Sequence, residues 1–525
     1  MQKPVYSMKE LEQLVEISRK YGGDSRFVIA GGGNTSFKDS TRLWVKASGH
    51  ALATITEDGF AVLDRAGLDI IATKEYSADA AECEAQATAD LMAACITKDR
   101  KPSVETSLHN ALSAPFVVHL HPTIINGLTS SMDVEAAVER LFGSKVLYVP
   151  YSDPGYALFK RVSIAVTDYV AANGCEPEII LLQNHGIFVG AETTEQVEAI
   201  YDRVVATIEG AIVTPLPEGA AEVGDMVTEV VPALRMILSR GGEVKTLKVV
   251  NSSLIEWYAE SEEHFAAVAA PFSPDSIIYC NSKYIYISAD TPAAILEQAE
   301  QKIAHYRAAY GYDPKVILIK GVGLVSVGRN AKECGIVEDV YVDMMKIAWY
   351  AQSFGGEHPM TAEQIVFVDN WEAHKPKFKT AGTGRVENKT FIITGAAQGF
   401  GEGIAKSLIR HGANIVVADL NEQTGSKTTA ELNAMASGNK AIFAKCNVAD
   451  MESLKALIKS TVCAFGGLDV FVSNAGIART GGLDSMSAEQ FELIAKINYN
   501  GFFFCTKVAS DVMKLQNRYN SENWG

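Results

Sequence analysis

Short apolar runs and amphipathic stretches alternate along the chain. Residues 1–23 carry apolar positions at helical spacing on a polar background, which predicts an amphipathic helix without an apolar signal core. From there to about residue 215, helical segments alternate with β-rich runs at 115–120, 145–149 and 178–182. The stretch 216–384 continues with helical segments and apolar runs at 276–280, 284–288 and 315–319, each read as a strand. His374-Lys375-Pro376-Lys377-Phe378-Lys379, followed by Thr380-Ala381-Gly382-Thr383-Gly384-Arg385, has a linker's composition, because proline and glycine interrupt regular structure. From Lys389 onward strand and helix alternate strictly, the sign of a parallel α/β sheet. The pattern predicts an α/β protein in three regions, 1–215, 216–384 and 385–525.

The first two regions echo each other. Glu176-Pro177 opens an apolar run, then Gln183-Asn184-His185-Gly186 and a second apolar run; Asp313-Pro314 opens the same series through Lys320-Gly321-Val322-Gly323. Two readings fit: a duplicated domain, or two α/β units that merely look alike. Under duplication His185 aligns with Val322 at an offset of 137 residues, and the second copy has lost whatever His185 does.

A length of 525 residues accommodates about three domains. The 47 Lys and Arg against 63 Asp and Glu give a formal charge of −16, which excludes broad electrostatic attraction to nucleic acid or anionic membrane. A local pocket for a phosphorylated metabolite needs only a few donors and stays open. Eight scattered cysteines without a C-x-x-C pair suit reduced thiols, so the expectation is a cytoplasmic protein. No apolar run reaches the ~18 residues of a membrane span.

Candidate chemistry begins at His119-Leu120-His121, at the end of an apolar run. Positions i and i+2 of a strand share a face, so the two imidazoles can share one cation. His185 follows another apolar run, and three neutral imidazoles with an open fourth position form a catalytic zinc pattern. Glu105 lies one short helix upstream, in Ser103-Val104-Glu105. Two small-residue turns, Gly31-Gly32-Gly33-Asn34-Thr35-Ser36 and Lys46-Ala47-Ser48-Gly49, are suited to presenting N–H groups to an anion.

This ordered series resembles the class II aldolase/adducin family over residues ~1–215. The resemblance implies that His119, His121 and His185 hold zinc and that Glu105 is the acid/base. It implies that Gly33, Asn34, Ser36, Ser48, Gly49 and Ser103 bind substrate phosphate. Several aldolases have two consecutive serines where this chain has Ser103-Val104, which removes one phosphate donor. The non-enzymatic adducins lack the zinc histidines, so their presence favours catalysis. Retro-aldol cleavage of a ketose phosphate is the expected reaction; epimerisation on the same scaffold, or an assembly role as in adducins, are the alternatives.

Phe391-Ile392-Ile393 leads into Thr394-Gly395-Ala396-Ala397-Gln398-Gly399-Phe400-Gly401, a glycine turn from strand to helix that lets backbone amides approach a pyrophosphate. A second strand ends in Asp419, 18 positions past Gly401, near the spacing of a ribose-binding carboxylate. Asn447-Val448 and Asn474-Ala475-Gly476 follow the next two strands. The ensemble resembles the short-chain dehydrogenase/reductase family, which implies that Thr394, Gly395, Gly399, Gly401, Asp419, Asn447, Val448, Asn474, Ala475 and Gly476 bind the dinucleotide, and that Asn498 is the helix-borne catalytic asparagine. Asp419, with no adjacent Arg or Lys, predicts NAD rather than NADP.

No Tyr-x-x-x-Lys pair follows Asn498; Tyr519 is followed at the fourth position by Asn523. The expectation is an incomplete Rossmann-type sheet without dehydrogenase activity, a C-terminally shortened form of a longer protein, whose fourth strand at 469–473 is an exposed edge. The pairing of domains resembles the bifunctional rhamnulose-1-phosphate aldolase/alcohol dehydrogenase family. That resemblance implies a ketose 1-phosphate substrate, L-rhamnulose 1-phosphate first, with Zn2+ and NAD as cofactors and a homo-oligomeric state. The stretch 216–384 is expected to be a degenerate aldolase-like copy without metal.

Overall fold

A computed structural model describes residues 8–239, 243–370 and 384–520. The protein is a mixed α/β molecule whose chain divides into two compact units. One comprises Met1–Leu216, Ala270–Ile278 and Val342–Lys375; the other comprises Pro217–Ala269, Tyr279–Tyr341 and Pro376–Gly525. The three regions expected from sequence are therefore distributed over two units, and the middle one contributes to both. Most of the expected linker, residues 371–383, lies outside the described residues. Among the described residues no helix is long and apolar enough to cross a membrane.

The first unit is built on seven strands: β1 (Asn34–Lys38), β2 (Arg42–Lys46), β3 (Phe60–Asp64), β4 (Phe116–Leu120), β5 (Leu147–Val149), β6 (Ile179–Leu182) and β7 (Gly186–Ala191). Their order in the sheet is β3-β2-β1-β4-β7-β6-β5, antiparallel except for the parallel β5–β6 pair. Successive side chains alternate between two cores, as the pleat requires. Phe116, Val118 and Leu120 of β4 enter one core with Ile179, Leu181, Ile187 and Val189. Val117 enters the other with Ile180, Leu182 and Phe188. Residue 119 shares the face of Val117, so strand periodicity alone puts a histidine on a buried face.

The second unit holds two four-stranded sheets. One has β8 (Thr246–Val250), β9 (Ile285–Ile287), β10 (Val316–Ile319) and β11 (Gly323–Gly328) in the order β8-β11-β10-β9. The other has β12 (Thr390–Thr394), β13 (Asn414–Asp419), β14 (Ala441–Lys445) and β15 (Val470–Val472), all parallel, in the order β14-β13-β12-β15. Among the described residues β15 pairs only with β12 and is an edge of its sheet. Phe391 and Ile393 pack with the helix Gly399–Arg410 on one face, while Ile392 joins a core on the other with Leu454, Val462, Val508 and Val512.

One expected strand is a helix. Residues 276–280 fall within the helix Pro274–Cys280, and the reason is local. Proline at the first position has a pre-set φ, and the Ser273 side chain accepts from the Ser276 N–H at 3.3 Å, so the apolar run Ile277-Ile278-Tyr279 begins under an N-terminal cap.

Candidate functional site

The turn between β6 and β7 carries His185 next to Asn184, whose φ is 53°. Asparagine tolerates that left-handed conformation, and its side chain then donates to the carbonyls of Phe272 at 3.0 Å and His358 at 2.8 Å. Gly186 must be glycine. A Cβ there would lie 2.4 Å from the Leu120 carbonyl oxygen and 2.7 Å from the His121 ring. The glycine thus lets the turn close against the end of β4, bringing His185 to the other two histidines.

The three imidazoles meet at their ligating atoms, which lie within 4.8 Å of one another. His119 is fully buried, stacks on Phe188 with ring centroids 4.0 Å apart, and its Nδ1 lies 3.0 Å from the Ile187 carbonyl oxygen. A carbonyl only accepts, so Nδ1 carries the proton and Nε2 keeps its lone pair. The Nδ1 of His121 lies 2.6 Å from Asp275 Oδ2, and its Nε2 lies 2.9 Å from His119 Nε2. Burial, opposed by Glu105, pushes His119 down to about 4, so it is neutral at pH 7 as a metal ligand must be. Burial also acts on His121, but the Asp275 carboxylate outweighs it and raises the imidazole above its ordinary value.

Glu105 caps the cluster from the position before the helix Thr106–Ala111. Its Oε1 lies 3.1 Å from His185 Nε2 and 3.3 Å from His119 Nε2, buried and without a well-oriented hydrogen bond. Burial would raise its pKa; the neighbouring His119 and His185 imidazoles outweigh that and hold it well below the usual carboxylate range. Three inward nitrogens and an orphaned carboxylate oxygen fit a divalent cation of zinc's preferences.

Behind Glu105 runs a chain of hydrogen bonds. Asn34 Nδ2 donates to Glu105 Oε2 at 2.6 Å and to Ser103 Oγ at 3.2 Å, while its Oδ1 accepts from His109 Nε2. His109 Nδ1 in turn accepts from Ser36 Oγ at 2.7 Å. Full burial drives His109 down to about 3, which keeps it neutral. Of the expected phosphate group, Asn34 and Ser103 therefore adjoin Glu105 directly. Ser48 bonds to the Pro102 carbonyl at 3.3 Å and Gly49, with φ of 90°, is exposed beside it. Gly33 precedes β1 with φ of 73°. Ser36 is fully buried, with its hydroxyl engaged by His109, so it faces the interior rather than a ligand.

Sequence reasoning passed over four residues here. Lys46 is buried near Glu105 and Asp275, and burial lowers its pKa against the pull of both carboxylates. His109, Asn184 and Asp275 are the others; Asn184 stands in the Asn184-His185-Gly186 motif, but the side chains of all three act on residues far along the chain.

In the second unit the glycine turn after β12 is locked by two side chains. Thr394 Oγ1 accepts from the Asn474 and Ala475 N–H groups at 3.0 Å each, and Asn474 Nδ2 donates to the Thr394 carbonyl at 2.9 Å. Gly395 has φ of 66° and Gly399 of 64°. A Cβ on Gly401 would lie 2.5 Å from the Gly395 carbonyl oxygen, so the helix can start this close to the strand only with glycine. Asp419, at the end of β13, accepts from the Ala397 N–H at 3.1 Å and the Asn421 N–H at 3.0 Å, which places it against the same turn. Asn447 is exposed and Val448 buried just past β14. Asn498 sits in a π-helical turn, Ala495–Asn500, and clamps Ile477 beside Gly476 through bonds of 2.9 and 2.8 Å.

Three family models match this chain: the class II aldolase and adducin N-terminal domain over residues 12–208, the second domain of class II aldolases over 225–378, and short chain dehydrogenase over 389–520. The uncharacterized oxidoreductase YuxG of Bacillus subtilis is 25% identical over 566 residues, covering 97% of this chain and 79% of the relative. A 2,5-dichloro-2,5-cyclohexadiene-1,4-diol dehydrogenase of Sphingobium indicum is 40% identical over 123 residues, or 23% of this chain. The chain spans about half, 47%, of that dehydrogenase's length. The solved N-terminal class II aldolase domain of a conserved protein from Thermoplasma acidophilum is 25% identical, covering 40% of this chain and 96% of that one with a TM-score of 0.33.

Proposed function

We propose that this chain, which joins class II aldolase domains to a C-terminal short-chain dehydrogenase domain, cleaves a ketose 1-phosphate by a zinc-dependent retro-aldol reaction. The observation that carries the reading is the convergence of His119, His121 and His185 on one point under the orphaned Glu105 Oε1. Those three histidines would hold the metal. Zinc, when bound, polarises the carbonyl and adjacent hydroxyl of the sugar and offsets the charge that develops as the C–C bond breaks.

The chain's own residues do the rest. Glu105, ionised at neutral pH, is the base in the condensing direction and by microscopic reversibility returns the proton to the same carbon in cleavage. The Asn34 amide and His109 behind it hold that carboxylate in one orientation. Lys46, Ser48, Gly49 and Ser103 are the groups proposed to receive the phosphate. The pairing with a dehydrogenase domain supports L-rhamnulose 1-phosphate as substrate, giving dihydroxyacetone phosphate and lactaldehyde.

The dehydrogenase domain is proposed to bind NAD through the Thr394–Gly401 turn and Asp419, whose charge opposes a 2′-phosphate; the oxidoreductase name of the full-length relative supports that class of chemistry. Residues 216–384 are read as a metal-free aldolase-like copy, and the protein as a cytoplasmic homo-oligomer.

The test is metal analysis of purified protein together with a coupled dihydroxyacetone-phosphate assay over a panel of ketose phosphates. One zinc per chain and cleavage of a 6-deoxyketose 1-phosphate are expected. A metal-free protein that cleaves none of them refutes the reading, and a changed stereocentre without C–C cleavage replaces it with an epimerase.

A further inference from the structure

The first unit takes in nine residues, Ala270–Ile278, from the stretch matched by the second aldolase domain. They deliver one carboxylate to the histidine cluster. Asp275, on the helix Pro274–Cys280, points Oδ2 at His121 Nδ1 across 2.6 Å. When the neutral imidazole donates its Nδ1 proton to a carboxylate, Nε2 is the nitrogen that keeps the lone pair, and His121 Nε2 lies 2.9 Å from His119 Nε2. Two of the three ligands differ in this respect. His119 has only a neutral carbonyl behind it, at 3.0 Å, whereas His121 has a charged acceptor at ion-pair distance.

The placement of Asp275 is built. Asn184, the neighbour of His185, donates to the Phe272 carbonyl, so the turn that carries one ligand also ties down the segment behind another. Ile277 packs with Met360, Ile365 and Val368. The Gly32 loop lies so close to the pair that a Cβ there would be 3.0 Å from Asp275 Oδ2 and 3.2 Å from His121 Nδ1.

We propose that Asp275 is a positioning residue for the metal: it fixes the tautomer and ring orientation of His121, and the second aldolase domain thereby completes a metal site whose ligands all come from the first. This rests on the reading of His119, His121 and His185 as metal ligands. Removing a group that orients a ligand costs about 10–100-fold in metal affinity in comparable sites.

The experiment is a zinc titration of the full chain against a chromophoric chelator, with Co2+ absorption as a second readout of ligand geometry. Wild type, Asp275→Asn and Asp275→Ala are compared after metal removal. Asp275→Asn keeps shape and an acceptor but loses the charge, and is expected to bind zinc about 10-fold more weakly, Asp275→Ala about 100-fold. Thermal melting of the metal-free proteins is expected to be unchanged for Asp275→Asn, which separates metal positioning from general stability. Zinc affinity and cobalt spectra equal to wild type in Asp275→Asn overturn the proposal, whatever Asp275→Ala does to folding. A wild type that takes up no zinc overturns the metal reading itself, and this inference with it.

Discussion

The strands β4-β7-β6-β5 and β8-β11-β10-β9 are laid out alike and hold different things. In each, the first pair is antiparallel, the second antiparallel and the third parallel. At the offset of 137 residues even the turns coincide: His185 N–H bonds to the Leu182 carbonyl and Val322 N–H to that of Ile319. Asn184 with φ of 53° matches Gly321 with φ of 73°. Register extends the match to the first strand. His119 pairs with Phe188, and Val249 pairs with Val325, so Val249 stands where His119 does and Asn251 where His121 does. Three imidazoles on one sheet correspond to Val, Asn and Val on the other. The face that presents His119 is, in the second sheet, filled by a core in which Val249 and Val325 pack with the helix Val227–Leu238. The same backbone frame holds a histidine cluster or a packed core, according to what one face is given to hold.

The contrast is sharpest at the turn. His185→Ala should abolish stoichiometric zinc and reduce cleavage to background, a larger effect than the about 10–100-fold cost of losing a group behind a ligand. Val322→Ala at the matching site should leave zinc content untouched and cost only about 1–2 kcal/mol of stability, since Val322 is buried and apolar. Metal analysis and denaturant melts of the two variants check both; two zinc ions per wild-type chain would break the comparison.

Next in size is Glu105→Gln, expected to slow cleavage by about 10²–10⁴ while zinc content stays at one per chain. Steady-state kinetics beside metal analysis would show whether chemistry and metal binding separate in this way.

Carboxylates in the second unit should behave otherwise. Asp469 receives both Arg235 amino groups, at 3.1 and 2.8 Å, and the Thr390 N–H at 2.7 Å, all buried. Arg235→Ala leaves that carboxylate uncompensated and should cost about 3–5 kcal/mol in a denaturant melt, with no effect on metal.

A further difference is in pH dependence. His109 has a folded pKa of about 3, pushed down by burial from 6.5. Between those values the unfolded chain binds a proton that the folded chain refuses, so stability is full above about 6.5 and falls as the pH drops through the window, by about 1.4 kcal/mol per pH unit. His109→Gln should flatten that slope in melts recorded from pH 7 to 4; an unchanged slope would assign it elsewhere.

Periodicity and motif were enough to read most of the strands, the His119-Leu120-His121 pair and the glycine turn at 394–401, because each depends on neighbours within a few residues. The failures have more than one cause, one local and two long-range. Ser276–Cys280 is apolar and β-branched enough to read as a strand, but Pro274 and the Ser273 cap start a helix there. Ser36 shares its strand face with Asn34 and looks equally fit to meet an anion; burial against the helix Thr106–Ala111 commits it to His109 instead. Asp275 lies 154 positions from His121, a separation that no local pattern encodes.

The Arg235–Asp469 pair also bears on how the protein can be dissected. Arg235 lies in the helix Val227–Leu238, and Asp469 immediately precedes β15. The same core runs without a break from Val227 through Val325 to Val462 and Val512. The sequence changes character near residue 385, and a cloning strategy would cut there. Such a cut divides one folding unit, stranding an unpaired aspartate on one fragment and a bare guanidinium on the other, each beside freshly exposed valines and leucines. The dehydrogenase portion is therefore not a cassette that can be lifted out for expression; a workable excision would have to start before Val227 and carry the second sheet with it.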